Sequence, residues 1–202
     1  NTTSHKNMTW NMTNMPVASW SQIGYLGTVT VETVYGTTGF TNLNIIGDCT
    51  ISNGVWTQPR NPSIWYVNVE VSRVRATIGG NLVVGANAAI DVTDKGYWYY
   101  TGPGGGSDGG SYGGNGFGGW SGLPGGPCYG SIVAPTNLGS GGRESFGGGA
   151  ILLTVRGTIR NEGLICADGG RSDYGGGSGG SVWLTSGTLI GGTGGVIRAN
   201  GS

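Results

Sequence analysis

Glycine supplies 46 of the 202 residues, against about 7% in an average protein. It is also unevenly placed, with ten glycines before residue 100 and 36 after it. Glycine in a helix interior costs about 1 kcal/mol relative to alanine, and no long amphipathic helical pattern offsets this, so a helix bundle is excluded. The first half reads instead as strands. Thr28–Val34 alternates with period two, as does Tyr66–Ser72; Val29 and Val31 share one face of the first, and Val67, Val69 and Val71 one face of the second. Clusters of Val, Ile, Leu and aromatic residues also argue against a disordered chain.

A repeat emerges when the strand ends are aligned. One column holds Ile51, Ile90, Ile165 and Ile197, and a second, a few residues upstream, holds Leu43, Leu82, Ile159 and Leu189. Recurring strands that cannot bury an apolar face alone bury it by stacking. The expected fold is therefore all-β: a parallel β-helix, or solenoid, with long Gly-rich insertions and an extended N-terminal arm. The domain boundaries expected are 1–20 for the arm and 21–202 for the β-helix, with an insertion at 96–150. An antiparallel sandwich with Gly-rich loops is the competing architecture. Alternation of side chains sends Ile51, Ile90, Ile165 and Ile197 inward, and Ser52, Asp91, Cys166 and Arg198 outward.

Within the insertion every third residue from Gly110 to Gly125 is glycine. That period matches the three-residue turn of the polyproline-II helix, whose all-Gly face lets backbones pack closely. Polyglycine-II-like packing is expected over part of this tract, with a disordered linker as the alternative. Tyr112, Phe117 and Trp120 favour order.

The chain has three cysteines, too few for a disulfide scaffold and not spaced for zinc. Cys49 shares the parity of Ile51 and is expected in the core. Cys166 faces out and Cys128 lies in the insertion, so Cys128–Cys166 is the candidate disulfide.

Ten basic and ten acidic residues leave no net charge. With no basic cluster, nucleic acid is not an expected partner. No apolar run reaches the roughly 20 residues of a membrane span. Three acceptor sequons begin at Asn1, Asn7 and Asn11, which points to N-linked glycans on a secreted or cell-surface chain. No signal-peptide pattern is present, so under that reading the chain is the mature form.

Catalytic residues are scarce. The one histidine, His5, lies among the sequons, where a nucleophile–histidine arrangement has no support. Asp91 and Asp94 flank a turn with Lys95, and Asp168 and Asp173 flank Arg171. Such carboxylates suit acid–base work on polysaccharides, and the 168–173 tract is also a candidate structural calcium site. Turn capping is the more ordinary role for these aspartates. No enzyme activity and no other cofactor is expected. Tyr97, Trp98, Tyr99, Tyr100 and Trp120 are candidate glycan-stacking aromatics. Their alternative role is to cover glycine backbone.

The segments Thr77–Thr93, Leu138–Gly142, Gly147–Ile159 and Gly176–Leu189 resemble the Gly-rich, right-handed parallel β-helix repeats of large secreted and surface proteins, over about residues 67–202. That resemblance implies a surface, adhesive or structural role and carries no catalytic residues. The final repeat at 196–201 has no polar cap after it. An open coil end that meets the opposite end of another copy makes a head-to-tail contact that does not close. The arm is a candidate for strand addition to a neighbour. The expected function is a structural subunit of an extracellular glycosylated filament or appendage, with itself as partner. A cell-surface adhesin or carbohydrate-binding β-helix module is the alternative, and a polysaccharide-active enzyme stands third.

Overall fold

The computed structural model describes residues 6–11, 15–62, 68–117 and 122–202. Among them the protein is all-β. The strands are β1 (Met8–Trp10), β2 (Trp20–Gln22), β3 (Thr28–Val31), β4 (Thr33–Val34), β5 (Leu43–Ile45) and β6 (Cys49–Thr57). They continue with β7 (Ser72–Ile78), β8 (Leu82–Asp91), β9 (Ala150–Asn161), β10 (Leu164–Cys166), β11 (Ser181–Gly191) and β12 (Val196–Arg198). The main path through the sheet runs β1-β3-β6-β8-β9-β7-β4. Every strand pairing is parallel except β4 with β7.

Register turns these pairings into columns of buried side chains. One runs Val29, Trp56, Ile90, Ile165, Ile197. A second runs Trp20, Cys49, Leu82, Ile159, Leu189. A third runs Leu43, Ala76, Leu153, Leu184. The two columns read from sequence are thus right in three of four members each. Ile51 pairs with Val84, and Trp56 takes the expected place beside Ile90. Leu43 belongs to the third column, and Cys49 holds the place expected of it beside Leu82. The slip arises inside β6, where the register shifts between Ile51 and Asn53. Gly54 follows at φ +77°, with space for a Cβ closed by the carbonyls of Tyr25 and Gly27 at 2.5 and 2.6 Å. Only glycine satisfies both restrictions.

Side-chain hydrogen bonds fix the corners. Asp48 Oδ1 accepts from the Asn81 amide at 2.7 Å, and Asn81 Oδ1 accepts from the Thr158 amide at 2.9 Å. Gln58 is buried, donates to Ser72 O at 2.8 Å and accepts from the Ala150 amide at 3.0 Å. Each meets a backbone group that the ladder leaves unpaired.

The expected strand at Thr28–Val34 forms as β3 and β4, with Val29 and Val31 buried. The one expected at Tyr66–Ser72 does not. Tyr66 and Val67 lie outside the described residues, residues 68–71 are irregular, and β7 begins at Ser72. Asn61 occupies the backbone there, donating to Val69 O at 2.8 Å and accepting from the Val71 amide at 3.0 Å. The described residues of the N-terminal segment, 6–11 and 15–20, lie against the sheet. β1 pairs with β3, Val17 bridges to Ile45, and Trp10 meets Trp20 edge-on at 5.0 Å. Trp20 in turn meets Trp56 at 5.2 Å, so burial of aromatic area holds this segment to its own sheet.

Between β8 and β9 the insertion contains no strand among its described residues. Its glycines pack backbone on backbone. Gly139 N donates to Gly148 O at 2.8 Å, Gly148 N to Ser178 O at 2.9 Å, and Gly96 N to Gly147 O at 2.7 Å. A Cβ on Gly96, Gly139, Gly148, Gly177 or Gly179 would run into a neighbouring carbonyl. The close contact therefore gathers at 96, 139–149 and 169–180 as well as in the expected triplets. Of those triplets Gly110, Gly116 and Gly125 are tightly packed, while Gly113 and Gly122 face open space.

Candidate functional site

Two surfaces stand out: an open edge of the sheet and the aromatic rim of the glycine layer. At the edge, β11 pairs with β9 and β12 with β10, and neither has a second partner among the described residues. The columns that are buried along the sheet emerge here. Ile165 is fully buried, whereas Ile197, next in its column, is 42% exposed; Ile159 is buried, whereas Leu189 is 53% exposed. Trp183, Ile190 and Val196 are exposed beside them. Isolated exposed aliphatics are ordinary, but a contiguous set on an unpaired strand edge is a template for another chain. At the opposite limit of the sheet, β1 pairs only with β3 and β2 only with β6 among the described residues.

The four consecutive aromatics do not form one platform. Tyr97 is buried against Leu138 and Ala150, and burial pushes its phenol pKa up. Its ring fills the space where a Cβ on Gly102 would lie, which is the covering role. Trp98 and Tyr99 are half-buried and stacked at 5.3 Å, and Tyr99 meets Phe146 at 4.9 Å. The Arg60 guanidinium lies 4.0 Å from the Phe146 centroid. Tyr100 is exposed, in the left-handed region at φ 60°. Trp120 lies outside the described residues.

A second rim lies across the layer, where Tyr112, Phe117 and Tyr174 line an open groove of about 760 Å³ with Asn115, Ser172 and Asp173. Its floor is the backbone of Gly175–Gly179. These residues are far apart in the chain and had no sequence signal beyond the aromatics of the tract. A half-buried polar cluster ties the insertion to the segments around Tyr35 and Glu70. Glu70 accepts from the Leu138 amide at 2.7 Å and from Asn137 Nδ2 at 3.2 Å. Tyr35 donates to Thr136 O at 2.6 Å with the Arg73 guanidinium 4.3 Å from its ring centroid. Burial raises the Glu70 pKa, against the opposing pull of the Leu138 and Asn137 hydrogen bonds and of Arg73.

The expected Cys128–Cys166 disulfide is absent. Cys128 is an exposed free thiol donating to Asn115 Oδ1 at 2.9 Å, and Cys166 is a buried free thiol. By parity Cys166 faces away from the core, but the Thr93 hydroxyl 3.3 Å away helps to cover it. Cys49 is buried as expected, and burial raises its pKa.

The aspartates cap turns. Asp91 Oδ1 accepts from the Thr93 amide at 2.8 Å. Asp168 Oδ1 accepts from the Asn200 amide at 2.8 Å, and its Oδ2 pairs with Arg198 Nε at 2.8 Å. Both Asp168 oxygens are thereby engaged, and Asp173 is exposed on the groove rim. No group of three His, Cys, Asp or Glu side chains that could hold a metal ion is found among the described residues. Asn7 and Asn11 are exposed at either end of β1. Asn7 accepts from the Thr28 amide at 3.1 Å and Asn11 donates to Glu32 at 3.3 Å. Asn1 and His5 lie outside the described residues. The acceptor pattern also occurs at Asn200-Gly201-Ser202, on an exposed surface. It was legible in the sequence, since it needs only Asn, a non-Pro residue and Ser.

The class these features define is an all-β protein of parallel strands with an attached glycine layer. No family model, no curated protein and no solved structure matches the chain. Among the described residues no helix is long and apolar enough to cross a membrane.

Proposed function

We propose that the protein is a structural subunit of an extracellular, glycosylated filament or appendage. In this reading the parallel sheet is the wall of a β-helix, and copies stack head to tail by continuing its columns. The observation that carries the reading is the open edge at β11 and β12, where Leu189 and Ile197 prolong buried columns into solvent. At the opposite limit of the sheet Met8 continues the first column beyond Val29 and is 40% exposed, so that column reaches solvent at both ends. A heterologous contact of this kind repeats without closing, so it yields a fibre and not a ring.

Support also comes from the glycine layer, whose backbone-on-backbone contacts suit a permanent, side-chain-poor wall. Exposure of Asn7 and Asn11 is compatible with N-linked glycans at the first strand. Asp91 and Asp168 serve turn hydrogen bonds, and Asp168 also pairs with Arg198, a use that suits a structural subunit better than acid–base work. Electron microscopy of material isolated from its source tests the assembly. Regular filaments with a constant axial repeat are expected, and dispersed particles at all concentrations would overturn it. Loss of mass on treatment with an N-glycan-releasing amidase tests the glycans.

A further inference from the structure

We propose that the groove beside the glycine layer is a binding site for neutral oligosaccharides, apart from any role in assembly. Its position differs from the Tyr97–Tyr100 cluster, in which Tyr97 is buried.

The lining specifies the ligand. Phe117 is 84% exposed and Tyr174 44% exposed, both on the rim. Leaving a large aromatic in water forgoes about 1.5–3 kcal/mol of burial, and rings at the edge of a cleft recover it only against a flat partner. The C–H face of a pyranose is such a partner, with its hydroxyls directed sideways. The same lining holds the hydrogen-bonding groups a sugar needs: the Asp173 carboxylate, the Asn115 amide and the Ser172 hydroxyl. A carboxylate accepts from two vicinal hydroxyls, and such charge-assisted bonds are the strong ones. Of residues 175–179 in the lining only Ser178 carries a side chain, so a ring can descend close to backbone level.

Charge excludes the other common ligands. Among the described residues no Lys, Arg or His lines the groove, and Asp173 is its one charged side chain. Phosphates, nucleotides, uronic acids and sulfated sugars would all meet the like charge of Asp173. The length and openness suit several sugar units better than one small enclosed molecule. Part of the machinery is already held in place: the Tyr174 ring has the Arg143 guanidinium 5.4 Å from its centroid, and its amide donates to Ser172 Oγ at 3.1 Å. Ordered rings lose little entropy on binding.

The full chain is applied to an array of neutral and acidic oligosaccharides, and the best neutral sugar is then titrated calorimetrically. Binding to neutral oligosaccharides is expected. Phe117→Ala and Tyr174→Ala should each weaken it by about tenfold, and Asp173→Asn by a similar factor. Trp98→Ala, in the other aromatic cluster, should leave it unchanged, and thermal melting should show all variants folded. Absence of neutral-sugar binding at millimolar concentration overturns the proposal, as does preference for acidic sugars or full binding by the Phe117 and Tyr174 variants. Should another copy of the chain occupy the groove instead, the monomer will bind no sugar and the proposal fails. The filament reading is unaffected by any of these results, since the groove variants leave the β11–β12 edge intact.

Discussion

A methyl group on Gly147 would run into the carbonyl of Gly139, part of the backbone network of the glycine layer. Nothing there is a flexible side chain that can turn away, so Gly147→Ala must displace backbone and break hydrogen bonds. The expected loss is roughly 3 kcal/mol, read by urea denaturation. Gly113, in the triplet series, faces open space, and Gly113→Ala should lie within about 0.5 kcal/mol of the parent. Equal effects would mean that the layer is not held by close backbone contact. The thiols allow a second test. A maleimide should label Cys128 alone in the native protein and all three cysteines after denaturation, because only Cys128 is exposed. Glu70 gives a third. Burial raises its folded pKa above the ordinary glutamate value, so the folded state binds that proton more tightly than the unfolded chain. Its contribution to stability is therefore greatest below the ordinary glutamate value and declines as pH rises through the raised one. Glu70→Gln should flatten the dependence of melting temperature on pH across that window. An unchanged slope would show that the Arg73 charge and the two hydrogen bonds cancel the burial.

At the scale of elements, the columns explain both what sequence could read and what it could not. Ile90, Ile165 and Ile197 were legible because residue type and position repeat together, as were Leu82, Ile159 and Leu189. Trp56 was not, because a tryptophan stands where the repeat has isoleucine and the register of β6 shifts just before it. Alignment by residue type therefore chose Ile51. The third column was hidden for a related reason: Ala76 and Leu184 share no pattern with Leu43 that a short window detects. At the candidate site, the consecutive aromatics at 97–100 were read as one surface, whereas the backbone sends Tyr97 inside and Tyr100 out. The groove residues Phe117 and Tyr174 converge only through glycine packing between distant segments, which no local signal encodes. The columns also predict a gradient in energy. Ile159→Ala, fully buried between Leu82 and Leu189, should cost about 2–5 kcal/mol. Leu189→Ala in the same column should cost under about 1 kcal/mol in the dispersed chain. A full cavity cost at Leu189 would mean that the edge is covered even when the protein is dilute.

For the molecule as a whole, the columns end at a surface that water does not favour and that parallel pairing could extend. Backbone groups of β11 and β12 on their open side, together with Leu189 and Ile197, present hydrogen bonds and apolar area at once. In the proposed filament, burial and backbone pairing would drive assembly through this edge more than charge, since the chain carries ten basic and ten acidic residues and no net charge. Two consequences follow for sedimentation of the full chain. Added salt should leave assembly intact or strengthen it, because screening weakens only charge–charge attraction. Leu189→Lys combined with Ile197→Lys should abolish it, because a lysine in each column would have to be desolvated without a partner. Both positions are half exposed, so the double variant should still fold with nearly the parent melting temperature. Ile132→Lys, at a site 93% exposed on the insertion, is the control and should assemble normally. Loss of assembly in the control as well would place the contact on the insertion and not at the sheet edge. Assembly that survives the double variant would remove the edge from the interface altogether.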